Sequence, residues 1–211
     1  MIVTPDLSFE TDLWQSGISL VAGLDEAGRG ALAGPVAVGA VILPNDPRLL
    51  LTLSGVRDSK QMTPLARSRR VEAIKQTALA WSLGWASAEE IDSLGISAAT
   101  RLASERALAE LSILPDFLLT DFRLKPESEI PLASLVKGDQ KSLTIACASV
   151  LAKTARDALM IELDKKYSGY GLAKHKGYGT ASHRRALEKL GHSPAHRKTF
   201  TFKNPEGMKG L

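Results

Sequence analysis

The chain contains 211 residues, of which 44% are hydrophobic and 24% are charged, and its formal net charge is +4. These values are typical of one globular domain of ordinary size. No apolar run approaches the roughly 20 residues of a membrane-spanning helix, and the acidic N-terminus lacks the apolar core of a secretory signal. We therefore expect a cytoplasmic protein that does not contact a membrane, with its single cysteine, Cys147, as a buried, inert thiol.

Charge is distributed unevenly along the chain. Residues 1–136 carry 12 Lys and Arg against 17 Asp and Glu, a balance of −5, whereas residues 137–211 carry 15 against 6, a balance of +9. All three tyrosines fall in the basic part. Because lysine and arginine neutralise phosphates and aromatic rings pack on sugars or bases, this composition favours contact with a polyanion. A solvated helical surface is the simpler alternative.

The pattern of apolar residues and turn signals predicts a mixed sheet covered by helices. The predicted strands are residues 18–25, 35–43, 79–87, 116–122 and 133–139. The predicted helices are residues 63–77, 96–112, 141–167 and 180–190. Thr63 and Pro64 form a favourable helix start, and Gly191 marks the end of the last helix.

The stretch GLDEAGRGALAG, residues 23–34, contains the pattern G-x-G-x-x-A at Gly28, Gly30 and Ala33. In a dinucleotide-binding protein such a loop opens a helix and holds a pyrophosphate. Here Pro35 and a β-branched run follow, which continue as a strand, and two carboxylates precede the glycines where they would repel a pyrophosphate. The sequence therefore favours a hairpin over a dinucleotide site.

Four acidic residues lie at or near the ends of predicted strands. Asp25 and Glu26 end the first strand, Asp121 ends the fourth, and Asp139 lies between the fifth strand and the following helix. Carboxylates that are brought together repel one another unless cations share the charge, and Mg²⁺ and Mn²⁺ prefer oxygen ligands. The positions suit a divalent metal site, while turn roles, or a helix-cap role for Asp139, remain alternatives.

Four motifs together resemble bacterial ribonuclease HII. They are GLDEAGRGALAGPVAVGAVIL, RDSK at residues 57–60, KGDQKSLTIACASVLAKTARD at residues 137–157, and HKGYGT at residues 175–180. The motifs occur in that family's order over roughly residues 23–200, and their combination is highly specific. The resemblance implies an α/β, ribonuclease H-like fold, in which a five-stranded mixed sheet flanked by helices precedes a small helical C-terminal extension.

The resemblance also implies an organisation of the chain. We expect an N-terminal segment, residues 1–17, a catalytic domain, residues 18–167, and a helical extension, residues 168–211, that contributes to substrate binding. The related ribonuclease HIII enzymes carry a substantial extra N-terminal domain, for which the 17 residues before the first predicted strand are too few. The HII assignment is therefore preferred, and we expect a monomer.

Enzymes of this family cut the RNA strand of RNA/DNA hybrids and nick duplex DNA on the 5′ side of a single embedded ribonucleotide. The resemblance implies that Asp25, Glu26, Asp121 and Asp139 are catalytic residues that bind Mg²⁺ or Mn²⁺, with two ions per site. Two such ions roughly 3.5–4 Å apart activate a water and stabilise the leaving 3′-oxygen. The products would carry a 3′-hydroxyl and a 5′-phosphate.

Substrate-binding residues follow from the same resemblance. Gly28, Arg29 and Gly30 would form the loop that recognises the 2′-hydroxyl, the group by which a protein distinguishes RNA from DNA. Tyr178 would pack on the neighbouring sugar. Lys60 of the RDSK motif would contact a phosphate or pair with an active-site acid, and an ordinary loop lysine is the alternative.

Three further positions carry open interpretations. We interpret His175 and His196 as facing the backbone or a phosphate, with surface or capping roles as the alternative. The family often has glycine after its third acid, whereas Phe122 and Arg123 follow Asp121 here. The loop after Asp121 would therefore hold this side chain differently.

Two other classes of function remain as alternatives. A non-catalytic nucleic-acid-binding protein would keep the basic C-terminal part but would have no reason to retain four acids. A nucleotide-dependent oxidoreductase needs a helix after the glycine loop, where the sequence predicts a strand. A metal-dependence test on a hybrid substrate separates the three classes.

Overall fold

The computed structural model describes residues 4–122 and 124–201, and in this part the chain forms one five-stranded sheet with helices on both faces. The strands are β1 (Val21–Ala27), β2 (Val36–Ile42), β3 (Ala80–Ala86), β4 (Phe117–Asp121) and β5 (Leu132–Leu135). The helices are α1 (Ser8–Gln15), α2 (Leu49–Thr52), α3 (Pro64–Thr77), α4 (Ala88–Leu94), α5 (Ile96–Ala109), α6 (Leu143–Lys166), α7 (Leu172–His175) and α8 (Ala181–Leu190).

The strand order across the sheet is β3-β2-β1-β4-β5. The first three strands pair in antiparallel fashion, and β4 is parallel to both β1 and β5. This order confirms the predicted five-stranded mixed sheet. The antiparallel β1–β2 pair also confirms the hairpin, so the glycine loop opens no helix and the dinucleotide interpretation is excluded.

The structure contains all nine elements predicted from the sequence, with shifted bounds and one consequential difference. The last strand, β5, ends at Leu135 rather than at residue 139, because the chain turns at Lys137, whose φ of 55° is left-handed. Asp139 consequently lies in the 3₁₀ turn Gly138–Gln140 and not at a strand end. The cap of α6 is Ser142, whose side chain accepts the N–H of the third helical residue, so a cap role for Asp139 is wrong.

The apolar pattern of the sequence did not predict the four short helices. Helices α1, α2, α4 and α7 have four to eight residues each. The first of them is held by Glu10, which is fully buried and accepts hydrogen bonds from Ser142 Oγ at 2.6 Å and from the Thr144 N–H at 2.9 Å. A carboxylate at the start of α6 also complements the helix dipole. This contact fastens α1 to the helix that lies beneath the sheet.

Two apolar clusters cover the two faces of the sheet. On one face, α6 packs against β1 and β2 and brings Leu143 and Val150 into contact with Val41 and α3. On the other face, α5 presents small residues, including Ala103, to β2 and β3. Cys147 lies fully buried in the first cluster, and burial raises the pKa of its thiol, which agrees with the expected inert cysteine.

The C-terminal part of the described chain packs against the loop that follows β1. A third apolar cluster joins Leu32 of that loop to Met160 of α6, Leu172 of α7 and Leu187 of α8. Residues 202–211 of the predicted extension lie outside the described residues. In the part that is described, no helix is long and apolar enough to cross a membrane.

Candidate active site

Three of the four predicted acids converge at one edge of the sheet. Asp25 and Glu26 lie near the end of β1, and Asp121 is the last residue of β4. Carboxylate oxygens of these three residues lie within 4.8 Å of one another. They meet because β1 and β4 are parallel neighbours, whose carboxyl ends fall at the same edge.

The acidic cluster formed by Asp25, Glu26 and Asp121 is electrostatically unfavourable without a cation. Desolvation, followed by repulsion from Glu26, raises the pKa of Asp25 well above its ordinary value. Desolvation and repulsion from Asp121 likewise raise the pKa of Glu26. In addition, the buried Oε2 of Glu26 has no hydrogen-bond partner in the described part of the chain. Clustered hard oxygens with this excess of negative charge fit a divalent cation such as Mg²⁺ or Mn²⁺.

Hydrogen bonds from three directions orient the acidic cluster. The N–H of Glu26 donates to Asp25 Oδ1 at 2.8 Å, and the N–H of Gly138 donates to Asp121 Oδ1 at 2.8 Å. The hydroxyl of Ser149 on α6 lowers the pKa of Asp25 by hydrogen bonding, against the larger effects of burial and repulsion. These bonds orient the carboxylates of Asp25 and Asp121 before any ligand arrives.

The fourth predicted acid lies beside the acidic cluster rather than in it. Asp139 is buried, and desolvation together with repulsion from Asp58 raises its pKa to about 6. A hydrogen bond with Asp58 contributes in the same direction, as does the charge of Asp121. The predicted set of four therefore appears as three clustered carboxylates flanked by an Asp58–Asp139 pair.

Sequence reasoning missed Asp58 as a member of the site. This buried carboxylate caps the 3₁₀ turn Ser59–Gln61 and accepts hydrogen bonds from the Lys60 N–H at 2.9 Å, from Gln61 Nε2 at 3.2 Å and from Gln140 Nε2 at 3.3 Å. Although desolvation opposes the effect, these bonds lower the pKa of Asp58. The available signal was its place in the RDSK motif, two residues before Lys60.

Lys60 is surrounded by carboxylates. Its side chain is exposed, and desolvation lowers its pKa less than the neighbouring acids raise it, with the largest favourable contributions from Asp25 and Asp139. The ammonium therefore partly offsets the repulsion within the site. Of the alternatives left open by the sequence, this environment favours pairing with the acids over an ordinary loop role.

Beside the acidic cluster lies a cleft of about 690 Å³. Its walls bring together all five predicted substrate-binding residues, although they come from three separate motifs. The lining residues include Gly28, Arg29, Gly30, Lys60, Lys153 and Tyr178. We call this space the recognition cleft. The cationic side chains in its lining are suited to the phosphates of a sugar–phosphate chain.

The two glycines of the loop have different surroundings. Gly28 has a φ of 91°, and a side chain there would overlap the guanidinium of Arg156. Gly30 is exposed, and nothing lies within 4 Å of the position that its Cβ would occupy. Between them, the Arg29 guanidinium donates to Thr100 Oγ1 at 3.3 Å and to Ser97 Oγ at 3.1 Å, which ties this loop to α5.

Tyr178 lies against the glycine loop. Its backbone forms an isolated antiparallel bridge with Ala31. Its half-buried ring lines the recognition cleft, with Lys153 Nζ 5.4 Å and Arg156 Cζ 5.5 Å from the ring centroid. These cations restrict where the ring lies through cation–π attraction.

The histidines lie behind the recognition cleft. His175 and His196 are buried and bond to protein backbone, His175 through Tyr170 O at 2.9 Å and His196 through the Ser193 N–H at 3.1 Å. The backbone-facing interpretation therefore fits, and the surface role is wrong. His183 Nε2 lies 3.0 Å from His196 Nε2, and desolvation lowers the pKa of both His183 and His196 to about 4.

The residue after Asp121 does not remove this carboxylate from the acidic cluster. Phe122 is 53% exposed, and Asp121 keeps its bond from the Gly138 N–H. The expectation that the residues after Asp121 hold this side chain differently stays a prediction. Arg123 lies outside the described residues.

The mixed sheet and the position of the acidic cluster define a protein of the ribonuclease H-like class, and solved structures agree. Ribonuclease H2 from Pyrococcus horikoshii OT3 superposes with a TM-score of 0.69 and 26% identity, covering 86% of this chain and 93% of that chain. The structure of the PCNA:RNase HII complex from Archaeoglobus fulgidus gives 0.72 and 22%, covering 88% and 96%. Bst-RNase HIII in complex with Mn²⁺ gives 0.64 and 18%, covering 86% and 67%. The ribonuclease H-like fold is thereby confirmed.

Sequence relatives define the family more narrowly. The family model for Ribonuclease HII matches residues 22–203. Ribonuclease HII of a Thermus thermophilus strain is 53% identical over 191 residues, covering 90% of each protein, and that of Moorella thermoacetica is 48% identical over 193 residues, covering 92% of each. The chain belongs to the ribonuclease HII family, and it is an enzyme, a ribonuclease H.

Proposed function

We propose that this enzyme is a metal-dependent endonuclease that cuts the RNA strand of RNA/DNA hybrids and nicks duplex DNA on the 5′ side of a single embedded ribonucleotide. The products carry a 3′-hydroxyl and a 5′-phosphate. The observation that carries this proposal is the acidic cluster of Asp25, Glu26 and Asp121 beside the recognition cleft. A phosphate bound here would therefore lie between the residues that recognise the sugar and the carboxylates that favour a metal.

The acidic cluster and Asp139 would hold Mg²⁺ or Mn²⁺, with two ions per site. The mutual repulsion of these carboxylates and the unpartnered Oε2 of Glu26 support this assignment. When bound, such ions supply an activated water and stabilise the charge on the leaving oxygen. Asp58, through its bond with Asp139, would set the orientation of the fourth ligand.

The remaining residues bind and orient the substrate. Lys60 and Lys153 place positive charge in the recognition cleft, where a scissile or flanking phosphate would lie. Gly28, Arg29 and Gly30 present backbone groups to the 2′-hydroxyl. Contacts to phosphates are the same for a ribonucleotide and a deoxyribonucleotide, so they cannot supply this choice. Tyr178 packs on the next sugar, where a deoxyribose leaves room for the ring.

The alternative of a non-catalytic nucleic-acid-binding protein explains the basic C-terminal part but not the acids. A protein that only binds phosphates would weaken its affinity by clustering three carboxylates beside the recognition cleft. Carboxylates with raised pKa values also lower the stability of the folded protein at neutral pH. In a protein that only binds nucleic acid, no function would compensate for this loss.

The proposal is tested with a duplex that contains one ribonucleotide, in Mg²⁺, in Mn²⁺ and in EDTA. We expect a single nick on the 5′ side of the ribonucleotide with either metal and no nick in EDTA. Asp121→Asn should lose most of the activity, while Asp12→Asn, a matched change on the exposed surface of α1, should not. Cleavage that persists in EDTA, or at near wild-type rate in Asp121→Asn, would contradict the proposal.

We further propose that the enzyme acts on nucleic acid as a monomer. Light scattering should then give a molar mass near the chain mass of 22.6 kDa, both alone and after subtraction of a bound duplex. A mass near twice that value would contradict the monomer.

A further inference from the structure

Arg197 is an almost fully buried cation whose hydrogen bonds all go to one loop. It is 1% exposed, and its guanidinium donates to Gly28 O at 2.8 Å, to Arg29 O at 2.9 Å and to Gly34 O at 2.9 Å. Desolvation lowers the pKa of Arg197 to about 9. Burying a guanidinium is costly, so this arrangement indicates that the position of these carbonyl groups matters.

The bonds to Gly28 and Arg29 fix the direction of the next two amide groups. All peptide bonds in the described chain are trans, and in a trans peptide the C=O and the following N–H point in opposite directions. With both carbonyl oxygens turned inward onto Arg197, the N–H groups of Arg29 and Gly30 point away from the core. Neither N–H has an acceptor in the described part of the chain, and both residues line the recognition cleft.

We propose that Arg197 is a positioning residue for ribose selection. By holding the carbonyl groups of Gly28 and Arg29, it presents the N–H groups of Arg29 and Gly30 as two fixed donors for the oxygen of a 2′-hydroxyl. A deoxyribose offers this pair no acceptor. The inference rests on the proposed function and adds to it the side chain, distant in sequence, that gives the loop its shape.

Anchoring of the flanking chain supports this role. The N–H groups of Lys198 and Thr199 donate to Asp92 on α4 at 2.9 and 3.0 Å, and the Arg197 N–H donates to Leu32 O at 2.9 Å. Arg197 thus extends from a backbone that is fixed on both sides. Its planar fork is needed for three simultaneous bonds, which the single ammonium of lysine cannot reproduce.

Ile74 provides a control for loss of stability. It is fully buried on α3 in the first apolar cluster, and it does not line the recognition cleft. Ile74→Ala leaves a cavity in that cluster and destabilises the fold. A loss of activity that follows from lower stability alone should therefore appear in both variants.

The test compares Arg197→Lys with Ile74→Ala on two duplexes that differ only in one ribonucleotide. For Arg197→Lys we expect kcat/KM at the ribonucleotide to fall at least tenfold, while the Kd for the all-DNA duplex stays within twofold of wild type. For Ile74→Ala we expect thermal destabilisation but a kcat/KM within threefold. If the two variants lose activity in parallel, or if Arg197→Lys weakens binding to both duplexes equally, Arg197 is a structural residue only and the inference fails.

A measurement on the unmodified protein avoids any folding defect. Amide hydrogen exchange at Arg29 and Gly30 should slow on binding of the ribonucleotide duplex, in EDTA to prevent cleavage, and not on binding of the all-DNA duplex. Equal protection by both duplexes would overturn the inference while leaving the proposed function intact. A wild-type enzyme that does not cut at the ribonucleotide would instead overturn the proposed function itself.

Discussion

The guanidinium of Arg156 occupies the space that a side chain at Gly28 would need, whereas the corresponding space at Gly30 is empty. The positive φ of 91° at Gly28 adds a second reason for glycine at that position. The two glycines of one short loop therefore have different tasks. Gly28 stabilises the fold, and the open space at Gly30 would leave room for a ligand.

This difference predicts opposite behaviour of two variants. Gly28→Ala should lower the free energy of unfolding by about 1–3 kcal/mol, because it combines a strained φ with overpacking. Gly30→Val should change it by less than about 0.5 kcal/mol, as exposed substitutions usually do, yet it should block cleavage at a ribonucleotide. Denaturant unfolding and a nicking assay measure the two effects. Wild-type nicking by Gly30→Val would show that the ribose does not approach this residue.

Local signals made much of the site predictable. Alternating and β-branched residues on both sides of the glycine loop predict a hairpin from local sequence alone. This pattern argued against a dinucleotide site at Gly28 and Gly30. Asp25 and Asp121 lie near or at the ends of buried strands, and parallel pairing of those strands brings their ends together. Such features depend on sequence neighbours and on a topology that the motifs identified.

The unpredicted features depend on contacts between distant residues. The Asp58–Asp139 pair forms because the turn after residue 57 meets the turn after β5, and neither turn has a signature for the other. Glu10 is an ordinary acid on a short helix until α6 is placed beside it. The contact of Arg197 with the glycine loop likewise depends on the fold, because its partner Arg29 lies 168 residues away in the sequence.

Two variants of Tyr178 distinguish a role of its ring from a role of its hydroxyl. The ring lies near two cations and lines the recognition cleft, while its backbone is held by the bridge to Ala31. We expect Tyr178→Phe to nick a single-ribonucleotide duplex at close to the wild-type rate, because the apolar ring face is kept. Tyr178→Ala should nick it at least tenfold more slowly with only modest loss of duplex binding. Equal rates for Tyr178→Ala and wild type would assign sugar sensing to another residue.

Metal binding should release protons near pH 6. Desolvation and neighbouring carboxylates raise the pKa of Asp139 to about 6 and also raise those of Asp25 and Glu26, so the metal-free site holds protons that a cation must expel. Apparent affinity for Mg²⁺ should therefore increase as pH rises through about 6. Calorimetry in two buffers of different ionisation enthalpy counts the protons released at pH 6 and pH 8. Asp139→Asn should reduce the release at pH 6, and an unchanged release would exclude Asp139 as its source.

Duplex binding should depend steeply on salt, because the balance beyond residue 136 is +9 and each neutralised phosphate releases a counterion. Lys174 is exposed on α7, and Lys174→Ala should lower the slope of log Kd against log salt by up to about one unit. Arg48→Ala is the control, since Arg48 lies in the acidic part and is paired with Asp46 at 2.8 Å. Identical slopes for Lys174→Ala and wild type would place the duplex elsewhere.

The buried His183–His196 pair should make the fold sensitive to acid. Desolvation lowers the pKa of both imidazoles to about 4, whereas in the unfolded chain each takes up a proton near its ordinary value of about 6.5. Between these values the unfolded state binds more protons than the folded state, so stability falls as pH decreases from about 6.5 to about 4. Above that window the pair has no effect on the pH dependence.

The acidic cluster acts in the opposite direction, because carboxyl groups with raised pKa values are relieved of repulsion by protonation. The contribution of the histidines is therefore measured by comparing variants that share the same carboxylates. Between pH 7 and pH 5, Tm should fall further for the wild type than for His196→Gln, which has lost one group of the pair. The charge of His192 also lowers both pKa values, after the larger effect of desolvation, so His192→Gln should reduce the decrease in Tm less than His196→Gln does. If His196→Gln shows the full wild-type decrease in Tm, the acid sensitivity arises outside this pair.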